Sequence, residues 1–428
     1  MKALRIRELS GFYENELTNN LLPFWVPGSL DLEHGGYFNC FDNSGRQLLS
    51  RHKYTWSQGR FVWLFARLAM MESNTFTARQ KQEFLRLAKS GRDFLHRHVL
   101  VGPDDWRCTF LMDESGRPMP ADDSGILDLS IYADCFVTIA FARYALAAGD
   151  ASSYLYAKKL FNSILDRISS GQYRTHPYPL NQAYRAHGIP MILCHVTREL
   201  YLAACRFAPA DSPELAEKLE AFCLDILDHF VDDHEVVHEV VGVDNSWLPN
   251  MLGQHANPGH TLECMWFLGE AAETLGQPLI TRRALAIVRR TCQIGWDDEM
   301  GGLLHYCHVR GGPPRGRTED VAEEPMLRQV QAGWSDKLWW VHSEALYTTM
   351  LCHVQSGDTD FQELYDRLAD YTFRVFPNPD REIREWIQIR KRDGSPQEKV
   401  VALPVKDPYH IIRNVVQLIE LLNRLKTG

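Results

Sequence analysis

The stretch GGYFNCFDNSGR, residues 35–46, sets the architecture because units like it recur along the chain. Apolar and polar residues alternate briefly after two glycines, and an Asp-Asn-Ser-Gly turn follows, as in a short strand that ends in a tight turn. The unit recurs at intervals of about 65 to 85 residues, and one double interval holds a sixth unit, so the pattern indicates a repeat. The further units are WRCTFLMDESGRP (106–118), GQYRTHPYPLN (171–181), HEVVGVDNSW (238–247), GGLLHYCHVRGG (301–312) and EWIQIRKRDGS (385–395).

Helical periodicity fills the chain between these units. Twelve segments place apolar residues at i, i+3, i+4 and i+7, for example GRFVWLFARLAMM (59–71) and PMILCHVTRELYLAACRF (190–207). Six repeats of two helices and a turn or hairpin predict an all-α fold, an (α/α)6 barrel of twelve helices in a single domain over residues 1–428. Residues 309–325 (VRGGPPRGRTEDVAEEP) are rich in Pro, Gly and charge, and they predict a mobile surface loop that could act as a lid.

Composition excludes several classes of protein. The 428 residues are 45% hydrophobic and 24% charged, which is typical of a globular protein with a large core. The net charge of -9 argues against nucleic acid and anionic membrane as partners. The N-terminal segment lacks the apolar core of a signal peptide, and no uninterrupted apolar run approaches transmembrane length. The 10 cysteines include no CxxC pair, so we expect a reduced, cytoplasmic protein without a zinc knuckle.

Two motifs place a histidine in the first turn of a helix. NPGHTLE (257–263) and DPYHIIR (407–413) each begin with a helix cap and a proline, and each carries a charged residue three positions after the histidine. The pairs are His260 with Glu263 and His410 with Arg413. In a ring of helix pairs, both helices would begin at one end and present their histidines to one cavity. SQGRFVW (57–63) offers a third case, with Ser57 as the cap and Arg60 in the first turn.

Two histidines facing one cavity suit proton transfer. A helix N-terminus favours the neutral, proton-accepting imidazole, and histidine is the commonest general acid–base group. One histidine could take a proton from one face of a substrate while the other returns a proton to the opposite face, as in an epimerase, or to a neighbouring carbon, as in an isomerase. A hydrogen-bonded structural role is the alternative for either residue. We expect no metal, because His-x-x-Glu and His-x-x-Arg are not zinc motifs and Arg413 would repel a cation.

The segment WSDKLWWVHSEALY (334–347) combines tryptophans with polar groups. On a helix that starts near Asp336, Trp340 and Glu344 share a face, with Lys337 and His342 close by. Aromatic faces beside charged groups suit a sugar, although adjacent tryptophans also commonly pack in a core. Two aromatic residues of the interhelical turns are candidates for the same mouth, with turn packing as their alternative: Tyr37 and Trp386.

Five ordered motifs, HGGYFNC, WSQGRFVW, NPGHTLE, KLWWVHSEA and YHIIR, resemble the N-acylglucosamine 2-epimerase family, which includes the renin-binding proteins. The likeness spans nearly the whole chain and implies an (α/α)6 barrel. It also implies a mechanism in which the sugar ring opens, the proton next to the carbonyl is removed and the resulting enediolate is reprotonated. The resemblance places the family's catalytic histidines on His260 and His410, its essential arginine on Arg60, its motif acids on Glu263 and Glu344, and its last motif arginine on Arg413.

The branch of the family, and so the substrate, follows from one segment. Cellobiose 2-epimerases and mannose isomerases carry HxHxxE near the position of HGIPMILCHV (187–196), where this chain has Pro190 and Met191. This resembles the N-acylglucosamine branch, makes Met191 a candidate substrate contact and favours N-acetylglucosamine and N-acetylmannosamine. His342 stands where the cellobiose branch has glutamine, so it is a binding candidate and not a base.

Several alternatives stay open. Free hexoses such as mannose, glucose or fructose are the second substrate class, with an epimerase or an aldose–ketose isomerase as the enzyme. An (α/α)6 glycoside hydrolase would need a carboxylate pair across the cavity, and a carbohydrate-binding protein without turnover would leave the two histidines unexplained. The sequence has no phosphate-binding glycine loop, so a nucleotide would at most regulate. We expect no cofactor, and as partners a monosaccharide and, optionally, a second copy in a homodimer.

Overall fold

Two concentric rings of helices form the protein in a computed structural model that describes residues 3–427. Six inner helices contact each other in sequence, and the last of them contacts the first, so the ring closes. The inner helices are α3 (Thr55–Ala69), α5 (Ile131–Ala148), α7 (Gly188–Phe207), α9 (Pro258–Leu275), α12 (Trp339–Ser356) and α14 (Tyr409–Thr427).

The outer helices alternate with the inner ones along the chain. Each inner helix packs against the outer helix that follows it, except that α14 packs against α1, the first helix. The outer helices are α1 (Ala3–Asn15), α4 (Ala78–His98), α6 (Ala151–Ser169), α8 (Ser212–His229), α10 (Pro278–Gly295) and α13 (Thr359–Val375). The predicted (α/α)6 barrel is confirmed, whereas the assignment of residues 1–428 to one domain stays a prediction and residues 1, 2 and 428 lie outside the described part.

Two short helices lie outside this alternation. Residues Glu16–Leu21 form a π-helical turn that joins α1 to α2 (Leu22–Gly28), so the first outer helix continues as a bent extension. Helix α11 (Pro325–Gly333) lies in the connection between α10 and α12. Single 3-10 turns occur at Pro209–Asp211 and Glu319–Val321.

The two ends of the barrel differ in the length of their connections. At one end, inner helices pass to outer ones through tight turns, and Gly149, Gly276 and Gly357 adopt positive φ there as C-caps. Such left-handed caps end a helix without steric strain when the residue is glycine. At the other end, where the inner helices begin, the connections are long and carry the short strands. The long-loop end is therefore the place where side chains from all six repeats can meet.

Small antiparallel sheets tie neighbouring long connections together. The strand before an inner helix pairs with a strand of the next connection at α7, α9 and α12, and at α3 a third strand extends the pair. The strands are β1 (Cys40–Phe41), β2 (Leu48–Ser50), β3 (Lys53–Tyr54), β4 (Leu100–Gly102), β5 (Asp105–Cys108), β6 (Leu111–Met112), β7 (Pro118–Met119), β8 (Tyr184–Ala186), β9 (Val240–Gly242), β10 (His255–Ala256), β11 (Cys307–His308), β12 (Lys337–Leu338) and β13 (Ile389–Arg390).

Two predicted helix starts are corrected. Helix α3 begins at Thr55, earlier than expected, so Ser57 lies inside the helix and accepts a hydrogen bond from Asn39 Nδ2 at 3.0 Å instead of capping. Helix α12 begins at Trp339 and not near Asp336, because Lys337 and Leu338 pair with strand β13. At α12, long-range pairing therefore overrides the local helical pattern.

The segment 309–325 packs against a neighbouring connection. Asn250 forms a bridge to Arg317, Met251 N–H donates to the Arg317 carbonyl at 2.8 Å, and Val309 N–H donates to the Gln254 carbonyl at 3.1 Å. None of its residues lines the cavity described below. The suggestion that this segment is a lid over the cavity is therefore corrected.

Helix α5 is apolar enough to be compared with a membrane span. Its 18 residues have a mean hydropathy of 1.4, although Asp134 and Arg143 interrupt the apolar run, and 72% of the span is buried. Its place in the inner ring accounts for that composition, since an inner helix contacts protein on nearly every side. Asp134 pairs with Arg167 and Arg143 pairs with Glu199, so both interruptions are neutralised inside the barrel.

Candidate active site

A cavity opens at the end of the barrel where the inner helices begin. Each inner helix contributes side chains from its first turns, and the connections before α7 and α14 add the outer part of the wall. Aromatic residues dominate, and the polar groups cluster on α3, α9 and α14. The lining residues are Trp56, Arg60, Tyr132, Phe136, Tyr178, Gly188, Met191, Ile192, His195, His260, Glu263, Phe267, Trp339, Trp340, Val401, Ala402, Tyr409, His410 and Arg413.

His260 is held by a buried carboxylate. As predicted, Asn257 caps α9, with its side chain accepting the His260 N–H at 3.2 Å. The ring nitrogen Nδ1 lies 2.7 Å from Glu239 Oε1. Burial disfavours the charged imidazole, but the charge and hydrogen bond of Glu239, with a contribution from Glu263, outweigh it and raise the pKa of His260. His260 is therefore disposed to carry a proton.

His410 has a different environment. Its Nδ1 lies 2.7 Å from Glu344 Oε1 and its Nε2 lies 3.2 Å from Arg60 Nη2. A guanidinium group only donates, so Nε2 accepts the bond and Nδ1 donates to the carboxylate, which is the neutral tautomer. Burial, together with the charges of Arg60 and Arg413, lowers the pKa of His410 to about 3 despite the opposing carboxylates. His410 is therefore neutral, and the lone pair that can take a proton is on Nε2.

Arg413 neutralises the two acids behind His410. Its Nη2 donates to Glu263 Oε1 at 2.5 Å and also to Glu344 Oε1. Glu263, Glu344 and His410 have ligand atoms close enough together for a metal ion, but the Arg413 guanidinium already provides their positive charge. Burial works against that charge, yet Glu344 and Glu263 raise the pKa of Arg413 well above its ordinary value. The donor set fits an arginine better than a metal ion.

Trp340 lies between the two histidines. Its ring centroid is 5.3 Å from that of His260 and 5.6 Å from that of His410. Helix α9 has a glycine at position 259 because a Cβ there would come within 2.4 Å of the Trp340 ring. One indole therefore forms a floor shared by both imidazoles, on which the C–H face of a sugar can stack.

Arg60 extends along an aromatic wall to reach His410. Its guanidinium lies 4.4 Å from the centroid of Phe136 and 5.0 Å from that of Tyr409, and Nη1 is 3.2 Å from Asp407 Oδ2. The position beside the His410 base suits a donor that stabilises negative charge on a substrate oxygen. Met191, another predicted contact, lies in the cavity wall on α7.

Four of the predicted binding residues lie elsewhere. Tyr37 is fully buried and donates to the Leu87 carbonyl at 2.7 Å, so it packs between α3 and α4. Lys337 pairs with Asp297 at 2.9 Å. His342 accepts the Leu303 N–H at 3.0 Å, and Trp386 donates to Glu16 at 2.7 Å. These corrections share one cause, since each side chain ties a long connection to another part of the chain instead of facing the cavity.

Glu344 also differs in position from the expectation. It is fully buried behind His410, where it accepts from Trp266 Nε1 at 2.7 Å, and it does not line the cavity. It can act on a substrate only through His410 or Arg413.

Sequence reasoning missed Glu239 and most of the aromatic wall. Glu239 immediately precedes β9, in a unit that was interpreted only as a strand and turn. An acidic residue next to a buried strand was the available signal, but nothing local indicates that it faces His260. Trp56, Tyr132 and Phe136 looked like core residues of apolar helices.

Comparisons with known proteins find relatives that match nearly the whole chain. The family profile described as N-acylglucosamine 2-epimerase (GlcNAc 2-epimerase) matches residues 36–414. The N-acylglucosamine 2-epimerase of Rattus norvegicus is 30% identical over 95% of this chain and 90% of its own, and the human enzyme of that name is 30% identical over 95% and 88%. A cellobiose 2-epimerase of Ruminococcus albus is 24% identical over 94% and 96%.

The solved structure of cellobiose 2-epimerase from Bacillus thermoamylovorans B4167 superimposes with a TM-score of 0.77, covering 97% of this chain and 99% of that one at 18% identity. The barrel, the two histidines at its open end and the match over most of the sequence lead to one assignment: this chain belongs to the N-acylglucosamine 2-epimerase family.

Proposed function

We propose that this protein interconverts N-acetylglucosamine and N-acetylmannosamine by inverting carbon 2. Family membership makes it a carbohydrate epimerase of the isomerase class, as the sequence predicted. The observation that carries the mechanism is that two histidines lie beside the same indole, that of Trp340, but differ in their hydrogen-bond partners. His260 bonds to a lone carboxylate at 2.7 Å, whereas His410 accepts from Arg60 at 3.2 Å.

The proposed reaction starts from the open-chain sugar. His410 Nε2 takes the proton from C2, and the electron pair of the broken C–H bond moves to the carbonyl, which gives an enolate whose C2 carries the acetamido nitrogen. Arg60 donates to the oxygen on which negative charge develops; a comparable donor in other enzymes contributes about 3 to 4 kcal/mol. His260, cationic before the reaction, then delivers its proton to the opposite face of C2. The reverse reaction exchanges the two roles, so net inversion needs both residues.

The acetamido substituent is supported by the shape of the wall. The cavity lining includes the apolar residues Met191, Ile192, Val401 and Ala402, and an acetyl methyl group gains from such an apolar surface. The relatives that are 30% identical are named N-acylglucosamine 2-epimerases, and those named cellobiose 2-epimerases reach 24%. This supports the N-acetylated sugar as the first substrate to test.

The test is proton NMR in heavy water with a panel of sugars. We expect N-acetylmannosamine and N-acetylglucosamine to interconvert with deuterium at C2, while mannose, glucose and cellobiose react at least tenfold more slowly. Faster inversion of a free hexose would show that the enzyme acts on the second substrate class, the free hexoses. Formation of a ketose would replace epimerase by aldose–ketose isomerase. No C2 exchange with any sugar would contradict the proposal.

A glycoside hydrolase is not supported by the acids present. Glu263 and Glu344 both bond to the same nitrogen of Arg413. Hydrolysis needs one carboxylic acid that donates a proton and one free carboxylate, both facing the sugar. The cytoplasmic location and the optional homodimer stay predictions, for which fractionation and sedimentation of the purified protein are the measurements.

A further inference from the structure

Glu239 is the acidic partner of His260 and has an unusual setting. Its backbone is fixed on both sides, since its N–H donates to the His255 carbonyl at 3.3 Å and its own carbonyl accepts the His187 N–H at 2.9 Å. The residue is buried, with 4% of its surface exposed. Oε1 lies 2.7 Å from His260 Nδ1, and Oε2 has no hydrogen bond, with His187 Nδ1 at 3.7 Å.

No lysine or arginine pairs with Glu239 among residues 3–427. The acids beside His410 differ, because Arg413 contacts both of them. A buried carboxylate without a positive partner is strongly destabilised. In the part of the chain that the structure describes, the groups placed to supply that charge to Glu239 are imidazoles, and His260 makes the shorter contact.

The surroundings of His260 point the same way. The titratable groups that interact with it are Glu239 from the β9 connection, Glu263 on its own helix and His305 from the connection before α12, while His187, at the start of α7, contacts Glu239. Burial lowers the pKa of His305 to about 3, so that ring is neutral. Glu263 is already paired with Arg413, which leaves Glu239 as the dominant charge.

We propose that Glu239 is a positioning residue that directs the Nδ1 proton of His260 toward itself and keeps the ring cationic in the free enzyme. His260 Nε2 then faces the substrate with the proton that the enolate receives. This inference rests on the proposed function. One C–H bond breaks at His410 and one forms from His260, so a turnover moves the proton of the pair from one histidine to the other, and exchange with water resets it.

The inference has a consequence for the pH profile. Both reaction directions use the singly protonated histidine pair, so kcat/KM is bell-shaped and has the same shape in both directions, because their ratio equals the equilibrium constant. The alkaline limb reports loss of the proton from His260. Removing the charge of Glu239 should therefore move the alkaline limb to lower pH and leave the acid limb in place.

The experiment compares Glu239→Gln, Glu239→Asp and a control, Asp232→Asn. Asp232 is in the same connection and pairs with a different histidine, His238, at 3.3 Å outside the cavity. We expect the alkaline limb of Glu239→Gln to fall by about one pH unit or more, the size of shift that one adjacent charge produces. The alkaline limb of Glu239→Asp should lie between those of Glu239→Gln and wild type, and the alkaline limb of the control should match wild type.

A readout without substrate separates this inference from the proposed function. NMR titration of the His260 ring, assigned by its loss in His260→Asn, should show the same downward shift in Glu239→Gln, whichever sugar the enzyme uses. If Glu239→Gln is slower but its alkaline limb and its His260 titration are unchanged, Glu239 has only a packing role and the inference is overturned. If Glu239→Gln does not fold, Glu239→Asp carries the same comparison, and its failure to shift either measurement would also overturn it.

Discussion

Glu344 acts on the reaction only through its neighbours, whereas Glu263 also lines the cavity. Replacing Glu344 with Gln removes the negative charge and leaves one oxygen for three donors, His410, Arg413 and Trp266, so the neutral tautomer of His410 loses support. We expect kcat to fall by about 10²-fold or more, since positioned acid–base groups contribute 10² to 10⁴. Glu263→Gln should show a smaller loss, because Glu263 contacts Arg413 and lies 3.7 Å from His410.

The control for these variants is Glu270→Gln. Glu270 pairs with Arg198 at 2.6 Å, on the same helix as Glu263 but outside the cavity lining. Thermal unfolding and steady-state kinetics should show a stability change without a matching loss of kcat. Full activity in Glu263→Gln and Glu344→Gln would show that both acids are structural.

His260 and His410 should divide the two faces of C2. Replacing either with Asn should nearly abolish net inversion, because both proton transfers are required. The remaining histidine can still exchange the C2 proton of the one epimer whose hydrogen faces it. Deuterium wash-in should therefore show opposite substrate preferences in the two variants.

Arg60→Ala tests the same step from the oxygen side. Because Arg60 would stabilise the enolate formed from either epimer, its loss should slow wash-in from both epimers by about 10²- to 10³-fold. Identical exchange patterns in the two histidine variants would instead favour a single shuttling base.

Among the elements, the first turn of α9 depends on glycine at position 259. A Cβ there would come within 2.4 Å of Trp340, while a Cβ at Gly269, later in the same helix, meets nothing closer than 3.6 Å. Gly259→Ala should displace the Trp340 ring and raise KM while lowering kcat. Gly269→Ala should retain activity and gain up to about 1 kcal/mol of stability, the usual preference of a helix interior for alanine. Wild-type kinetics in Gly259→Ala would contradict the role of the Trp340 ring as a floor shared by His260 and His410.

Helix-level features were predictable where the signal is local. The cap of α9 by Asn257 and the place of His260 and His410 at helix starts follow from residues adjacent in sequence. The start of α12 was missed because Lys337 and Leu338 pair with a strand more than 50 residues away. Tyr37 and Trp386 were placed at the mouth for the same reason, since their polar atoms bond to Leu87 and Glu16 in distant parts of the chain.

For the whole molecule, the repeat count and the family motifs predicted the barrel, and matched helix starts predicted that His260, His410 and Arg60 share a cavity. The hydrogen-bond partner of His260 could not be predicted from the sequence. Glu239 meets His260 only after two connections pair across the barrel end, and a sequence does not specify that contact. The burial of Lys337 with Asp297 depends on the same kind of closure.

The barrel as a whole should lose stability in mild acid. Burial lowers the pKa of several histidines to about 3, so between about pH 6.5 and 3 the unfolded chain binds protons that the folded chain does not. The contribution of these histidines to the free energy of unfolding is therefore complete above the unfolded-state pKa. It falls as pH decreases, by up to about 1.4 kcal/mol per pH unit for each such group. The histidines concerned are His195, His305, His342 and His410.

His342→Gln isolates one of these groups. A glutamine oxygen can still accept the Leu303 N–H, but it does not titrate. Denaturant unfolding between pH 7 and 4.5 should show a shallower pH slope than wild type, by up to about 1.4 kcal/mol per unit. An unchanged slope would mean that His342 is not held neutral.

Because the first and last helices pack together, the closed ring does not depend on which repeat comes first in the chain. Ser10 on α1 accepts a hydrogen bond from Lys426 on α14 at 2.7 Å, at the end of the barrel opposite the cavity. A short linker there could join the two ends, and the Gly357–Asp358 turn at the same barrel end could be cut to give new termini. Such a circular permutant should fold to the same ring and keep its C2 exchange activity, because no residue of the cavity lies near either junction.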